Sequence, residues 1–338
     1  MSPTSHQEPA RYDVLAIGNA IVDVIAEADD AFLVRNGLTK GSMQLVDSDR
    51  ADLLYGAMGP AIEASGGSAA NTAVGVAGLG GRAAFIGKVR ADELGRVFTH
   101  DIRAAGVTFG VAPANDGPPT ARCLIAVTPD AQRTMNTSLG IAGTVTVDDI
   151  DPALVTASLI TYCEGYLWDL DPTKDAIRHA MTLASESGNR VALALSDGFC
   201  VDRHRDEFVT LVADSVDVLF ANEAEITSLY EVDHFDDALQ RVRKDCELSF
   251  LTRGPAGAVA VHGDEVHVVG AHPNGPVVDT TGAGDQFAAG VLYGLTRGFD
   301  IATCARIGSV AAGEVIDHFG PRPHGNVEAL VAAVTGAL

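Results

Sequence analysis

The sequence predicts an α/β fold: a doubly wound, mostly parallel sheet flanked by helices, carrying a small β lid. Three features predict it. In the second half of the chain, short apolar runs that end in polar residues or glycine alternate with helix-like stretches, as expected of strands buried on both faces of a parallel sheet. Near the C-terminus a run of small residues opens a strongly periodic helix. Two extended stretches, 41–47 and 119–139, interrupt the βα rhythm and read as lid segments.

The bulk properties agree. A chain of 338 residues with 47% hydrophobic content suits one α/β unit with a small appendage, expected over 12–335. Residues 1–11 are polar and hold two prolines, which predicts a flexible leader and no signal peptide. No apolar run reaches the length of a membrane span. A net charge of −22 argues against nucleic-acid partners, which need a basic patch. The five cysteines (Cys123, Cys163, Cys200, Cys246, Cys304) are scattered, with no C-x-x-C pair. That predicts buried reduced thiols in a cytoplasm and no zinc site.

Tyr12–Ile17 reads as a first buried strand ending at Gly18. A dinucleotide fold would continue G-x-G-x-x-G. Gly18-Asn19-Ala20-Ile21-Val22-Asp23 lacks the second and third glycines, which weakens a dehydrogenase reading. Asp23 interrupts an apolar run, so it needs partners, either backbone amides at a strand end or a ligand. Met43 and Leu45 fall in the first lid segment. The second is a hairpin signal, two extended runs around Pro129-Asp130. Gly66-Gly67 would let the backbone approach a ligand closely, and Asn71 follows one turn into an alanine-rich helix.

In the second half, Leu159–Tyr162, Val191–Leu195, Val216–Phe220 and Leu248–Leu251 read as parallel strands. Asp171-Pro172 supplies an N-cap and N1 for an intervening helix, which Gly188 stops. The polar strand ends should gather on one rim, where doubly wound sheets bind ligands. Asn222 and Glu225, three apart, would share a helix face, either as a cap with its acid or as ligand groups. Thr303–Ile316 reads as a closing helix bordering that rim.

The chemistry concentrates at Asp279-Thr280-Thr281-Gly282-Ala283-Gly284-Asp285. Phe287, Val291, Leu292 and Leu295 recur at helical spacing, so a helix should begin near Gly282 or Ala283. Its bare amides and dipole would receive an anion such as a transferring phosphoryl group. Asp285 in the first turn could take a proton from an attacking hydroxyl. The structural alternative is an acidic first turn with glycines for close packing.

This string resembles the C-terminal signature of the ribokinase-like (PfkB) kinases. The stretch from Gly66 through Gly80-Gly81 to Asp92-Glu93-Leu94-Gly95 resembles their N-terminal signature in order and spacing. The resemblance implies that Asp285 is the catalytic base and that the amides of Gly282, Ala283 and Gly284 form its anion hole. It implies that Asp23 and Asn71, beside Gly66 and Gly67, hold sugar hydroxyls. Asn222-Glu223-Ala224-Glu225 resembles the N-x-x-E element, with Glu225 reaching magnesium through water. Thr252, Arg253, Gly254 and Gly257 match the T-x-G-x-x-G loop that meets ATP. Members often need potassium near the Asp279–Asp285 loop, bound largely by carbonyls. Arg133 matches a position near the transferring phosphate in the adenosine kinase-like branch, which the chain resembles in several motifs. Met43, Leu45, Leu167 and Trp168 would then clamp the base, although Tyr166-Leu167-Trp168 stands where that branch often presents Phe.

The resemblance thus implies ATP- and magnesium-dependent phosphorylation of a nucleoside 5′-hydroxyl, adenosine giving AMP, by a monomer or homodimer. A sugar kinase of the same fold is the nearest alternative. A non-catalytic nucleoside-binding protein is the alternative from another class, and the intact Asp285, Asn222 and Glu225 argue against it. Neither a Walker A sequence nor the protein-kinase glycine loop is present.

Overall fold

The computed structural model describes residues 12–130 and 132–335; the predicted leader lies outside them. Among the described residues the strands are β1 (Tyr12–Ile17), β2 (Ile21–Glu27), β3 (Met43–Leu45), β4 (Ala61–Gly66) and β5 (Ala83–Ile86). They continue as β6 (Ala121–Val127), β7 (Arg133–Ser138), β8 (Ser158–Glu164) and β9 (Arg190–Ala194). β10 (Val218–Asn222), β11 (Leu248–Thr252), β12 (Ala258–His262) and β13 (Glu265–Val269) complete them.

The larger sheet has the order β13-β12-β11-β10-β9-β8-β1-β5. It is parallel from β5 to β11, and β12 and β13 close it antiparallel. Strands such as Val191-Ala192-Leu193 are buried on both faces, because helices cover both. One face packs on the helices Asp171–Glu186, Gly198–Ser215, Glu223–Tyr230 and Phe235–Asp245. The other packs on Ser68–Gly78, Glu93–Ala104, Ala283–Thr296 and Ile301–Val315.

The smaller sheet has the order β3-β7-β6-β2-β4. The predicted segments 41–47 and 119–139 supply β3, β6 and β7. β2 and β4 come from outside them. The apolar run that Asp23 interrupts is a full strand of the second sheet, so Asp23 sits mid-strand, paired with Ala64 and Cys123, and not at a strand end. Ala61–Gly66 carries no strand signal. Ala61, Ile62 and Glu63 are exposed on an edge, and pairing with β2, not local pattern, makes this segment a strand.

The helix opening at the small-residue run begins at Ala283, with Gly282 as a left-handed N-cap at φ 78°. The Asp171 helix begins one position earlier than expected: Leu170 is its cap and Asp171 its first residue. No helix of the described residues is long and apolar enough to cross a membrane, and the five cysteines are buried and unpaired.

The helices Ala283–Thr296 and Ile301–Val315 touch through glycines. A Cβ on Gly290 would lie 2.7 Å from the backbone of Gly308. Alanine is the better helix former by about 1 kcal/mol, but here it must overpack two helix backbones, which costs about 1–3 kcal/mol. Gly290→Ala is therefore expected to lower the urea midpoint of unfolding; a raised midpoint would show that the two helices are not held at this distance.

Candidate active site

The site forms where the first turns of two helices meet. Small residues bring the Ser68–Gly78 and Ala283–Thr296 helices together, and a Cβ on Gly75 would fall 2.3 Å from Gln286 and 2.6 Å from Ala289. At that spacing Ser68 Oγ donates to Asp285 Oδ1 at 2.7 Å, and Asn71 Nδ2 donates to Asp285 Oδ2 at 3.0 Å. Burial pushes the Asp285 carboxyl above its ordinary range, opposed by these two hydrogen bonds.

Two cavities meet at this carboxylate, both bordered by Ser68 and Asp285. One, of about 270 Å³, lies under the smaller sheet. Its wall is apolar, with Ile21, Met43, Leu45, Ile125, Met135 and Leu139, and its floor carries Asp23, Gly67, Asn71 and Gly282. The other lies over the C-terminal ends of the large-sheet strands and is bordered by Asn222, Glu225, Thr252 and Gly284.

Asp23 is 8% exposed, and no donor among the described residues reaches its carboxylate. Burial pushes it up to about 7, opposed by the charges of Arg322 and Arg133. Gly66 makes room for it, since a Cβ there would lie 2.4 Å from Asp23 Oδ2. Gly67 holds φ 94°, and a Cβ would strike the Asn19 carbonyl at 2.2 Å. This pair serves the packing of the first cavity as well as access to it.

At the helix start, Gly282 packs against Pro321, with room for no Cβ. Gly284 has no atom within 4 Å of where a Cβ would stand, which leaves its face open to the second cavity. The Ala283 amide donates to the Thr280 carbonyl at 3.2 Å, whereas the Gly282 and Gly284 amides make no hydrogen bond among the described residues. Arg133 of β7 reaches across to the same loop, donating to Thr281 Oγ1 at 2.7 Å and pairing with Asp279.

Asn222 and Glu225 form a reciprocal capping box on the Glu223–Tyr230 helix. Asn222 Oδ1 accepts from the Glu225 amide at 2.8 Å, and Glu225 accepts from the Asn222 amide at 2.9 Å. The acid is buried rather than solvated, and burial pushes it up to about 7. Of the 252–257 loop, Thr252 borders the second cavity. Arg253 instead pairs with Glu223 and lies over the Phe235 ring at 4.2 Å. Gly257, at φ 87°, is pressed against the Val269 carbonyl, and Gly254 holds φ 53°.

The expectation for Leu167 and Trp168 is overturned. The short 3₁₀ turn Gly165–Asp169 directs both into the core, where they are 2% and 0% exposed. Trp168 packs on Phe208 and donates Nε1 to Glu207 at 3.0 Å. Tyr166 and Asp169 border the cavity under the smaller sheet instead. Sequence reasoning also assigned no role to Ser68, Glu164 or Arg322. Glu164 is fully buried, accepting from the Asn19 amide, Asn19 Nδ2 and the Ala69 amide at 2.7–2.8 Å, and burial pushes it up to about 7. A carboxyl ending an apolar strand was its only signal.

The comparisons with known proteins agree with this geometry. Residues 63–327 match the model of the pfkB family carbohydrate kinases. The structure superposes on an adenosine kinase from Sinorhizobium meliloti with a TM-score of 0.91 and 52% identity, covering 97% of this chain and 100% of that one. A probable sugar kinase from Rhizobium etli CFN 42 gives a TM-score of 0.92 at 48% identity, with the same coverage. Among curated proteins, the adenosine kinase of Saccharomyces cerevisiae is 28% identical over 330 residues, 91% of this chain and 96% of its own. The chain belongs to the pfkB family of carbohydrate kinases, and is an ATP-dependent phosphotransferase that acts on an alcohol group of a sugar or nucleoside.

Proposed function

We propose that the acceptor is a nucleoside, adenosine, phosphorylated on its 5′-hydroxyl to give AMP. The observation that carries this reading is the pair of cavities meeting at Asp285. The acceptor side joins an apolar wall of Met43, Leu45, Ile125, Met135 and Leu139 to a polar floor of Asp23 and Asn71. That division matches a purine on a ribose; a free sugar has hydroxyls all round and would leave the wall unused. The 52% identity to an adenosine kinase supports the same acceptor.

In this reading Asp23 accepts hydrogen bonds from vicinal ribose hydroxyls, the donors its carboxylate lacks. The 5′-hydroxyl then lies by Asp285, which takes its proton as the oxygen attacks the γ-phosphorus of ATP. The O5′–P bond forms as the bond to the ADP oxygen breaks, in line. The open amides of Gly282 and Gly284, at the positive end of the helix, stabilise the charge that spreads over the phosphoryl oxygens. Arg133 braces the phosphate loop from the smaller sheet, which acts as a lid that keeps water out. Reaction and chain are assigned to the cytoplasm.

Magnesium fits the donor side. Among the described residues no three His, Cys, Asp or Glu side chains are grouped to hold a metal by themselves. Magnesium needs no such cage, since it keeps several waters and rests on one or two carboxylates plus phosphate. A buried Glu225 whose ionised form is disfavoured suits a neighbouring cation. Glu225 would hold the ion through water, and the ion when bound supplies charge that neutralises the ATP phosphates.

A phosphate-transfer screen of nucleosides, pentoses and hexoses with ATP and magnesium tests the acceptor. Adenosine is expected to give the highest kcat/KM, and a free hexose or pentose in first place would move the chain to the sugar kinases. Asp285→Asn is expected to stay folded and bind ATP while losing about 10²–10⁴ in kcat, the usual worth of a positioned general base. Turnover above about a tenth of wild type would remove Asp285 from that role.

Asp23→Ala is expected to raise the adenosine KM at least about tenfold with little effect on the KM for ATP, since each lost charged hydrogen bond is worth about 1.5–3 kcal/mol. An unchanged adenosine KM would make Asp23 structural. The same carboxyl has a stability signature. Its proton affinity rises from 3.8 in the unfolded chain to about 7 in the fold. The folded chain therefore holds a proton that the unfolded chain has released, and this group lowers stability as pH rises through that window. Asp23→Asn should raise the Tm at about pH 8 and raise it less at about pH 5; an equal gain at both would mean the carboxyl is not so shifted.

A further inference from the structure

Arg322 has no place in the transfer described above. It lies in the segment after the Ile301–Val315 helix, and that segment is referenced closely to the phosphate loop. The Gly320 amide donates to Asp279 Oδ2 at 3.0 Å, Gln286 Nε2 donates to the Pro321 carbonyl at 3.2 Å, and Pro321 fills the space beside Gly282. From there the Arg322 side chain runs inward behind the acceptor cavity. Its Nε donates to Asn71 Oδ1 at 3.3 Å, its Nη1 bonds Ser65 Oγ, and its Nη2 is buried without a hydrogen-bond partner. Asp101 and Asp23 attract it electrostatically.

A guanidinium carries donors and no acceptor. An asparagine facing it gains a hydrogen bond only by turning Oδ1 toward it, which sends Nδ2 the other way. Here the other way is Asp285 Oδ2, at 3.0 Å. The reverse setting would press the NH₂ group against the guanidinium and the amide oxygen against a carboxylate. Both contacts would be repulsive in a buried site. With Ser68 on Oδ1 and Asn71 on Oδ2, each oxygen of Asp285 then holds one donor. We propose that Arg322 is a positioning residue for Asp285: through the Asn71 amide it keeps a donor on Oδ2, and so keeps the carboxylate ionised and aimed at the acceptor hydroxyl. The inference rests on the reading of Asp285 as base.

The other groups coupled to Asp285 are Asp23, Glu164, Tyr162 and Tyr166, and Arg133 joins Arg322 in facing Asp23. All except Arg322 are retained in the variants that follow. kcat is measured against pH, at saturating ATP and acceptor, for wild type, Arg322→Met, Arg322→Lys, Asn71→Ala and the Arg322→Met/Asn71→Ala pair. Thermal unfolding tests that each is folded.

Arg322→Met is expected to lower kcat about 10–100-fold, the scale of losing the orientation of a reacting group. Its acid limb should move up by about one to two pH units, the worth of one charged hydrogen bond to the base. Lysine, also donor-only, should return most of the limb toward its wild-type position. The double variant should stay within about threefold of Asn71→Ala alone, because the two residues act through one contact. Losses that multiply in the double variant, or an acid limb that stays put in Arg322→Met, would overturn the proposal. If Arg322→Met does not fold, Arg322→Gln, whose amide offers an acceptor as well as a donor and so no longer sets the Asn71 amide, makes the same comparison alone and paired with Asn71→Ala. Failure of the base reading appears separately, as turnover that survives Asp285→Asn.

Discussion

The site depends on one constraint, the short distance between two helices that meet through small residues. The Ser68–Gly78 and Ala283–Thr296 helices approach so closely at Gly75 that any side chain there would overlap Gln286 and Ala289. That approach lets a serine and an asparagine on one helix reach the carboxylate on the other, and Gln286 adds a bond to the Asn71 carbonyl at 3.1 Å. Protein interiors do not yield continuously to added volume. A wider helix pair would therefore lose both hydrogen bonds together and leave a buried carboxylate unpaired, which is among the costliest faults a core can carry. The alanines and glycines that give the chain its plain composition are in this sense part of the chemistry.

A second consequence is electrostatic. Burial pushes Asp23, Glu164 and Glu225 up to about 7 each, and Asp285 upward as well. Buried carboxyls of this kind work increasingly against the fold as pH rises from the ordinary carboxylate range toward neutrality. Glu164 is the one most fully answered from within, by three donors that tie the β1–β2 turn to the start of the Ser68–Gly78 helix. Asp23 has only the field of two arginines. The groups that would relieve the others are hydroxyl donors at Asp23 and a cation at Glu225, which are the groups the proposed reaction brings. Binding them should then stabilise the chain by linkage as well as by contact.

Much of the architecture was legible in the sequence because it is locally encoded. Val191–Leu195 and Leu248–Leu251 could be read as buried parallel strands from length and apolarity alone. The start of the Ala283 helix could be read from small residues followed by helical periodicity. What escaped was pairing between distant segments. Ala61–Gly66 looks like a loop by itself and becomes a strand through β2, and that same pairing sets Asp23 in the middle of a second sheet, which removes the strand-end alternative.

The sequence by itself determined the ingredients: an α/β chain, a glycine-rich turn into a helix with an acid in its first turn, and a carboxyl set in an apolar run. Short-range sterics and hydrophobic periodicity dictate those wherever the rest of the chain lies. Only the tertiary structure decided which residues face the cavity. One 3₁₀ turn sends Leu167 and Trp168 to the core and leaves Tyr166 and Asp169 at the cavity. Likewise Ser68 and Asn71 from one helix, and Arg322 from a distant segment, reach Asp285 or its partner. The direction of a side chain in a short turn, and hydrogen bonds between residues more than two hundred positions apart, depend on packing that no local pattern carries.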